Sequence, residues 1–232
     1  MKRRRVPELM DDPALPEGEH VAALRGLARL NRAAMAARLA WPSVRRVAAA
    51  ARAAGRTAGV LDAACGSADA VVAMARRAGA SGGGIRWSAC DLSALALREA
   101  DHAARAAGVE LATAQADCVN GPLPGGHDLV LCSLFLHHLD RGDAVRALAA
   151  MRAAARSGCV VDLDRTRRGL ALAWAGSRLL SRSRVVHFDA TASVRAAWTP
   201  AEALGMARDA GIDRARIRRA WPERWVLTWG NA

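Results

Sequence analysis

The sequence has no tyrosine, only two phenylalanines and a single lysine, Lys2. With one lysine among 34 basic residues, the other 33 are arginine, and alanine is the most abundant residue. Arg in place of Lys alongside abundant Ala marks a GC-rich coding sequence, which weakens any functional reading of the charge. No apolar run approaches the ~20 residues a membrane-spanning helix needs, so no membrane span is expected. The basic start, Met1 to Arg5, leads into Pro7, Glu8, Asp11, Asp12 and Pro13, where a secretory signal requires an apolar stretch. A cytoplasmic location follows as the expectation. The five cysteines (Cys65, Cys90, Cys118, Cys132, Cys159) form no C-x-x-C pair. That argues against a zinc cluster and against a disulfide framework.

What is present is globular. The 232 residues are 52% hydrophobic and 24% charged, enough for one domain with a sizeable core or one domain with a modest helical lid. The net charge of +12 permits nucleic acid, a membrane surface or anionic substrates and selects none of them.

Residues 1–18 read as a polar, Pro-containing arm. Val21, Leu24, Leu27, Leu30 and Met35 predict a helix from His20 to Arg38, and a second helix covers Ser43 to Ala54 after Pro42. The rhythm then changes. Short apolar runs at Val60-Leu61, Ile85–Cys90, Leu111–Ala116, Leu129–Cys132 and Cys159–Val161 alternate with helical stretches. That alternation predicts βαβ units and a parallel sheet wound on both faces. After the fifth strand, Thr166 to Ser183 is a basic helical segment, and Val185 to Ala197 has no clear period. Thr199-Pro200-Ala201-Glu202 starts a further helix, and 217–221 with 225–229 predicts a closing hairpin.

Ligands of open α/β sheets sit beyond the carboxyl ends of the strands, where the strand order reverses. The turn after the first strand, Asp62-Ala63-Ala64-Cys65-Gly66, is the first candidate, because its N–H groups and the following helix end face a polar ligand. Asp91, ending the second strand 25 residues after Gly66, can accept both hydroxyls of a ribose. Asp117, after the third, is placed to meet an adenine amino group. One such feature is weak; three acidic strand ends in order are a stronger signal.

Val60 to Gly66 resembles motif I of the class I S-adenosylmethionine-dependent methyltransferases, Asp91-Leu92 their ribose-binding acid and adenine-packing apolar residue, and Ala116-Asp117-Cys118 their adenine-contacting motif. His127 to Leu139 resembles the fourth-strand signature of the ubiquinone/menaquinone and natural-product (polyketide-associated) branch. The resemblance implies a Rossmann-like α/β sheet of seven strands, six parallel and one antiparallel, with a helical N-terminal lid and a helical insertion after the fifth strand. It implies four segments: arm and lid helices (1–56), cofactor-binding core (57–165), substrate-lid insertion (166–198), and last helix with hairpin (199–232). S-adenosylmethionine, leaving as S-adenosylhomocysteine, would meet Asp62, Ala64, Cys65, Gly66, Asp91, Leu92, Asp117, Cys118 and Ser133. The family pattern carries Gly where this chain has Ala68, and a methyl group there takes room where backbone approaches the ligand.

Methyl transfer to a hydroxyl needs alignment and removal of one proton. His137, with Asp164 fixing its tautomer, is the candidate pair; His138 reads as structural. Asp162 and Asp164 alone offer too few ligands for Mg²⁺, so no metal is expected. Arg165 is a candidate clamp for a substrate carboxylate, or pairs with Asp162 or Asp164. Trp174, His187 and Trp198 are candidate acceptor contacts in the lid. The acceptor expected is a small, anionic aromatic, phenolic or polyketide-like molecule methylated on oxygen; C- or N-methylation, or a non-catalytic cofactor-binding partner protein, are the alternatives. A nucleic-acid acceptor is disfavoured because Ser133-Leu134-Phe135-Leu136 lacks the Pro-Pro-aromatic segment of exocyclic-base methyltransferases. The chain could act as monomer or homodimer.

Overall fold

A computed structural model describes residues 1–12, 14–33, 35–79 and 84–230, apart from the side chains of 11, 24 and 27–33. Seven strands form one sheet in the order β3-β2-β1-β4-β5-β7-β6. They are β1 (Ala58–Ala63), β2 (Ile85–Asp91), β3 (Ala112–Gln115), β4 (His127–Ser133), β5 (Ala155–Leu163), β6 (Arg216–Ala220) and β7 (Arg224–Trp229). The first five are parallel, and β7 runs antiparallel between β5 and β6. Six strands therefore point one way and one the other, as expected.

Alternation along the central strands sorts side chains into two cores. Val60, Leu129 and Leu131 face one side with Val71 and Met74 of α3 (Asp69–Gly79) and Val44 and Val47 of α2 (Ala36–Ala53). Leu61, Val130 and Cys132 face the other, with Leu148 and Met151 of α5 (Arg141–Ala154) and Met206 of α8 (Pro200–Asp209). Being covered on both faces, β1 is buried at every position, which is why it reads as an apolar run rather than an alternating one. Gly158 on β5 lies across from Trp229, and a Cβ there would come within 2.0 Å of that indole.

Two expectations change, and one falls outside the described side chains. The N-terminal helices divide at Met35, whose φ is 62°, into α1 (Glu17–Ala33) and α2, so Pro42 lies inside α2 instead of before it. Pro42 has no N–H for the carbonyl of Arg38, but burial of Trp41, Val44 and Val47 on the same helix outweighs that loss. The expected core positions Leu24, Leu27 and Leu30 lie outside the described side chains. The segment without a period is a helix, α7 (Arg184–Ala196), following α6 (Arg167–Leu180). Val185, Val186, Asp189, Ala190, Ala192, Ser193, Val194 and Ala196 are all buried, so α7 has no polar face to reveal its turn.

The arm is ordered by specific bonds. The Arg4 N–H donates to the Arg195 carbonyl, and the N–H groups of Leu9 and Met10 donate to the Asp189 carboxylate of α7. These bonds lay residues 1–12 across the carboxyl end of the sheet.

Candidate active site

β1 is flanked by β2 on one side and β4 on the other, so the chain crosses between the two halves of the sheet there. Beyond the carboxyl ends of these strands lies a groove of about 1440 Å³, where ligands of open α/β sheets sit. The turn after β1 forms its floor. Ala64, Gly66 and Ala68 have φ of 53°, 54° and 57°, and nothing lies within 4 Å of where a Cβ on Gly66 would stand. The Gly66 N–H donates to Asp91 Oδ2 at 2.9 Å, and the Ser93 N–H donates to Asp91 Oδ1 at 2.9 Å. A carboxylate offers about four lone-pair positions, so two remain for a pair of vicinal hydroxyls. Leu92 beside it is 62% exposed, an apolar shelf on the groove wall.

Asp117 accepts from the Val119 and Asn120 N–H groups and from Asn120 Nδ2. The Val119 N–H bond is the largest of the effects that hold its carboxyl below the usual range. Ala64, Cys65, Cys118 and Ser133 also line the groove. Asp62 lies beneath it, 2% exposed, where burial first and then the Asp91 and Asp69 charges push its pKa up to about 7. Ala68 is fully buried among β1 and α3 side chains, so its methyl packs under the turn rather than into the ligand space. The cost of Ala there is backbone strain, not lost room.

The other end of the groove differs in chemistry. A 3-10 turn, Leu136–His138, follows β4 and presents His137 and His138. His137 Nδ1 lies 2.7 Å from Asp162 Oδ1, and its backbone N–H donates to Asp162 Oδ2 at 3.1 Å. Burial pushes Asp162 up, but the His137 charge and hydrogen bond and the Leu163 N–H outweigh it and hold the carboxyl below its usual range. Asp162 is thus a carboxylate, and Nδ1 carries the hydrogen between the two. Glu8, from the arm, places Oε1 3.7 Å from His137 Nε2 and Oε2 3.8 Å from His138 Nδ1.

Several expected acceptor-side residues stand elsewhere. Asp164 does not meet His137. It lies just past β5, its N–H bonded to the Glu223 carbonyl, and its carboxylate turns to Arg219 Nε at 2.8 Å. Asp162, still within β5, takes the role assigned to it. Arg165, 9% exposed, is engaged elsewhere than at Asp162 or Asp164: it donates to the Met1 and Ala197 carbonyls and to Glu202. Trp174 is on the outer face of α6 under the Arg178 guanidinium, off the groove lining. His187 Nε2 is tied to the Ser181 carbonyl at 2.7 Å. Trp198 is core, donating to the Leu136 carbonyl and stacked under Arg3. Large flat residues near a site serve packing as readily as recognition. Glu8 was not foreseen, because 129 positions separate it from His137. An acidic residue inside the apolar run Val160-Val161-Asp162-Leu163 was the available signal for Asp162.

Comparison with known proteins bears on the cofactor end. Residues 60–158 match a methyltransferase domain family. The matched span begins within β1 and ends within β5, taking in Asp91 and Asp117. No curated protein matches the chain by sequence. Among solved structures, an O-methyltransferase family 2 protein of Planctomyces limnophilus in complex with apigenin superposes with a TM-score of 0.65 at 17% identity, covering 95% of this chain and 63% of that one. A candidate O-methyltransferase of Nostoc punctiforme gives 0.58 at 20% identity, with 95% and 64% covered. A magnesium protoporphyrin IX methyltransferase of Synechocystis with bound S-adenosylhomocysteine gives 0.52 at 21%, with 81% of each covered. The chain thus spans somewhat under two thirds of the length of the first two. At these identities the likeness is one of fold.

Proposed function

We propose that this chain is an S-adenosylmethionine-dependent methyltransferase acting on the hydroxyl of a small aromatic or phenolic acceptor. The observation that carries the reading is the two-ended groove: Asp91 and the Gly66 turn at one end, a buried His137–Asp162 pair at the other. The residues present fit the cofactor. Asp91 retains lone pairs for the ribose hydroxyls, Leu92 offers a surface for adenine, Asp117 and Cys118 close the wall, and the space over Gly66 is open. When bound, the cofactor supplies an electrophilic methyl group on a sulfonium centre. That methyl would pass to the acceptor oxygen, with S-adenosylhomocysteine as the leaving product. His137 Nε2, aimed by the Asp162 carboxylate on Nδ1, receives the acceptor's proton. The acceptor class is supported by the apolar lining at this end, from Leu163, Leu172, Ala173, Leu180 and Val194, and by the apigenin complex of the Planctomyces relative.

Calorimetry with S-adenosylhomocysteine, together with transfer of labelled methyl to phenolic acceptors, tests it. Asp91→Ala is expected to weaken cofactor binding about tenfold or more. His137→Ala is expected to lower transfer about 100-fold or more with cofactor affinity unchanged. No binding of S-adenosylhomocysteine by the unaltered chain would remove the reading.

A further inference from the structure

Three side chains, Glu8, His137 and His138, converge at the acceptor end. His137 Nδ1 is engaged by Asp162 Oδ1 at 2.7 Å, which leaves Nε2 facing Glu8 Oε1 at 3.7 Å. Nitrogen and carboxylate donors at that separation leave room for a cation between them. His138 Nδ1 lies 3.8 Å from the second Glu8 oxygen, and one ligand atom from each of the three residues falls within 4.8 Å of the others.

We infer that Glu8, His137 and His138 form a binding site for a divalent transition-metal ion, open on the fourth side to the groove. Two imidazoles and one carboxylate are the donor set that first-row ions such as Zn²⁺ and Co²⁺ take, leaving a position for a water or substrate oxygen. Ligand atoms ~2.1 Å from a tetrahedral ion stand ~3.4 Å from one another. His137 Nε2 stands 3.7 Å from one Glu8 oxygen, His138 Nδ1 stands 3.8 Å from the other, and one atom from each residue lies within 4.8 Å of the rest, so an ion would draw the donors together by up to roughly 1.4 Å.

The surroundings match what metal-bound imidazoles require. The ring nitrogen of His137 that faces away from the site is hydrogen-bonded to a buried carboxylate, which fixes the ring orientation and raises its basicity. Glu8, 8% exposed, is held by the Ser193 hydroxyl on Oε1. The 3-10 turn is latched from behind: Arg3 donates to the carbonyls of His137 and Leu139, and Arg5 to that of His138. These guanidiniums are engaged with carbonyls on the back of the turn. With an ion on Nε2, His137 would no longer serve as the base; the ion would hold an acceptor oxygen as its anion, the proton having passed to solvent.

The inference rests on the geometry of these side chains and not on the methyltransferase reading, so its test needs neither cofactor nor acceptor. Metal-free full chain is titrated with Co²⁺ and Zn²⁺, followed by calorimetry and by the visible spectrum of the cobalt form. The expected result is one ion per chain, with a dissociation constant of about micromolar or below and ligand-field bands of a nitrogen/oxygen site. Glu8→Gln and His138→Asn are each expected to weaken binding about tenfold or more. If Glu8→Gln unfolds the arm, seen as a lowered thermal midpoint, His138→Asn at the half-buried edge of the site carries the test. Absence of saturable binding, affinity unchanged in the folded variants, or a sulfur-to-cobalt charge-transfer band assigning the ion to the cysteines would each overturn the inference.

Discussion

Gly66 joins two requirements in one residue. Its φ of 54° lies in the left-handed region, and its missing side chain leaves the groove open above Asp91. Gly66→Ala should cost about 1 kcal/mol in folding, a fall of roughly 2–4 °C in Tm for a chain of this size. It should also weaken S-adenosylhomocysteine binding, because the new methyl points into ligand space. Differential scanning calorimetry and a binding titration measure the two effects separately. Asp91 and Gly66 were readable in the sequence because a glycine turn and an acidic strand end at fixed spacing are both local patterns. Asp162 was harder. Its carboxylate and that of Asp164 are two residues apart, and only the end of β5 between them sends one to His137 and the other to Arg219. No spacing rule distinguishes two carboxylates that straddle a strand end.

At the scale of the element, α8 shows a cap doing more than stop a helix. Thr199 and Glu202 form the reciprocal capping box read from Thr-Pro-Ala-Glu. Glu202 also receives the Arg165 guanidinium at 2.9 Å, which ties the start of α8 to the end of β5. Burial pushes the Glu202 carboxyl up, but Arg165 and the Thr199 bonds outweigh it and bring its pKa from 4.5 down to about 2. A depressed acid pKa stabilises the fold fully above about pH 4.5, and the contribution disappears as pH falls toward 2. Denaturant unfolding from pH 6 to 3 should therefore show a steeper acid loss in the unaltered protein than in Glu202→Gln; equal slopes would contradict this. The helix itself was legible from its cap, whereas α7 was not. Burial on all sides erased the periodicity that sequence reading depends on, and its N-cap, Ser183, sits in a run of Ser and Arg without an acidic partner.

For the whole molecule, the N-terminal arm carries long-range order out of proportion to its length. Arg3 alone bonds the Ala196, His137 and Leu139 carbonyls and stacks 3.5 Å from the Trp198 ring centroid. Arg3→Ala should lower stability by about 2 kcal/mol, since charged hydrogen bonds each contribute ~1.5–3 and are not additive. Chemical denaturation at fixed ionic strength tests this, and a change under ~0.5 kcal/mol, typical of unconnected surface sites, would show the arm to be dispensable. The parallel, doubly wound sheet followed from the βαβ rhythm, and the groove's place from the rule that ligands sit beyond the carboxyl ends of such strands. The wall contributed by Glu8 did not, because no local rule links residues so far apart in the chain. Of the arginines behind the charge of +12, Arg3, Arg5 and Arg165 are engaged with carbonyls and a carboxylate of the chain itself.

That architecture sets an order of events during synthesis. Arg3 is separated by 193 residues from its partner Ala196. At ribosomal speeds of ~5–20 residues per second, roughly 10–40 s pass between the making of the first and of the second. Throughout that interval the strand and helix units from β1 onward can begin to pack, while Glu8 has neither Ser193 nor Asp189 nearby to hold its segment. The residues of the arm are thus among the last to find their places, and the acceptor end of the groove is finished only when α7 has emerged.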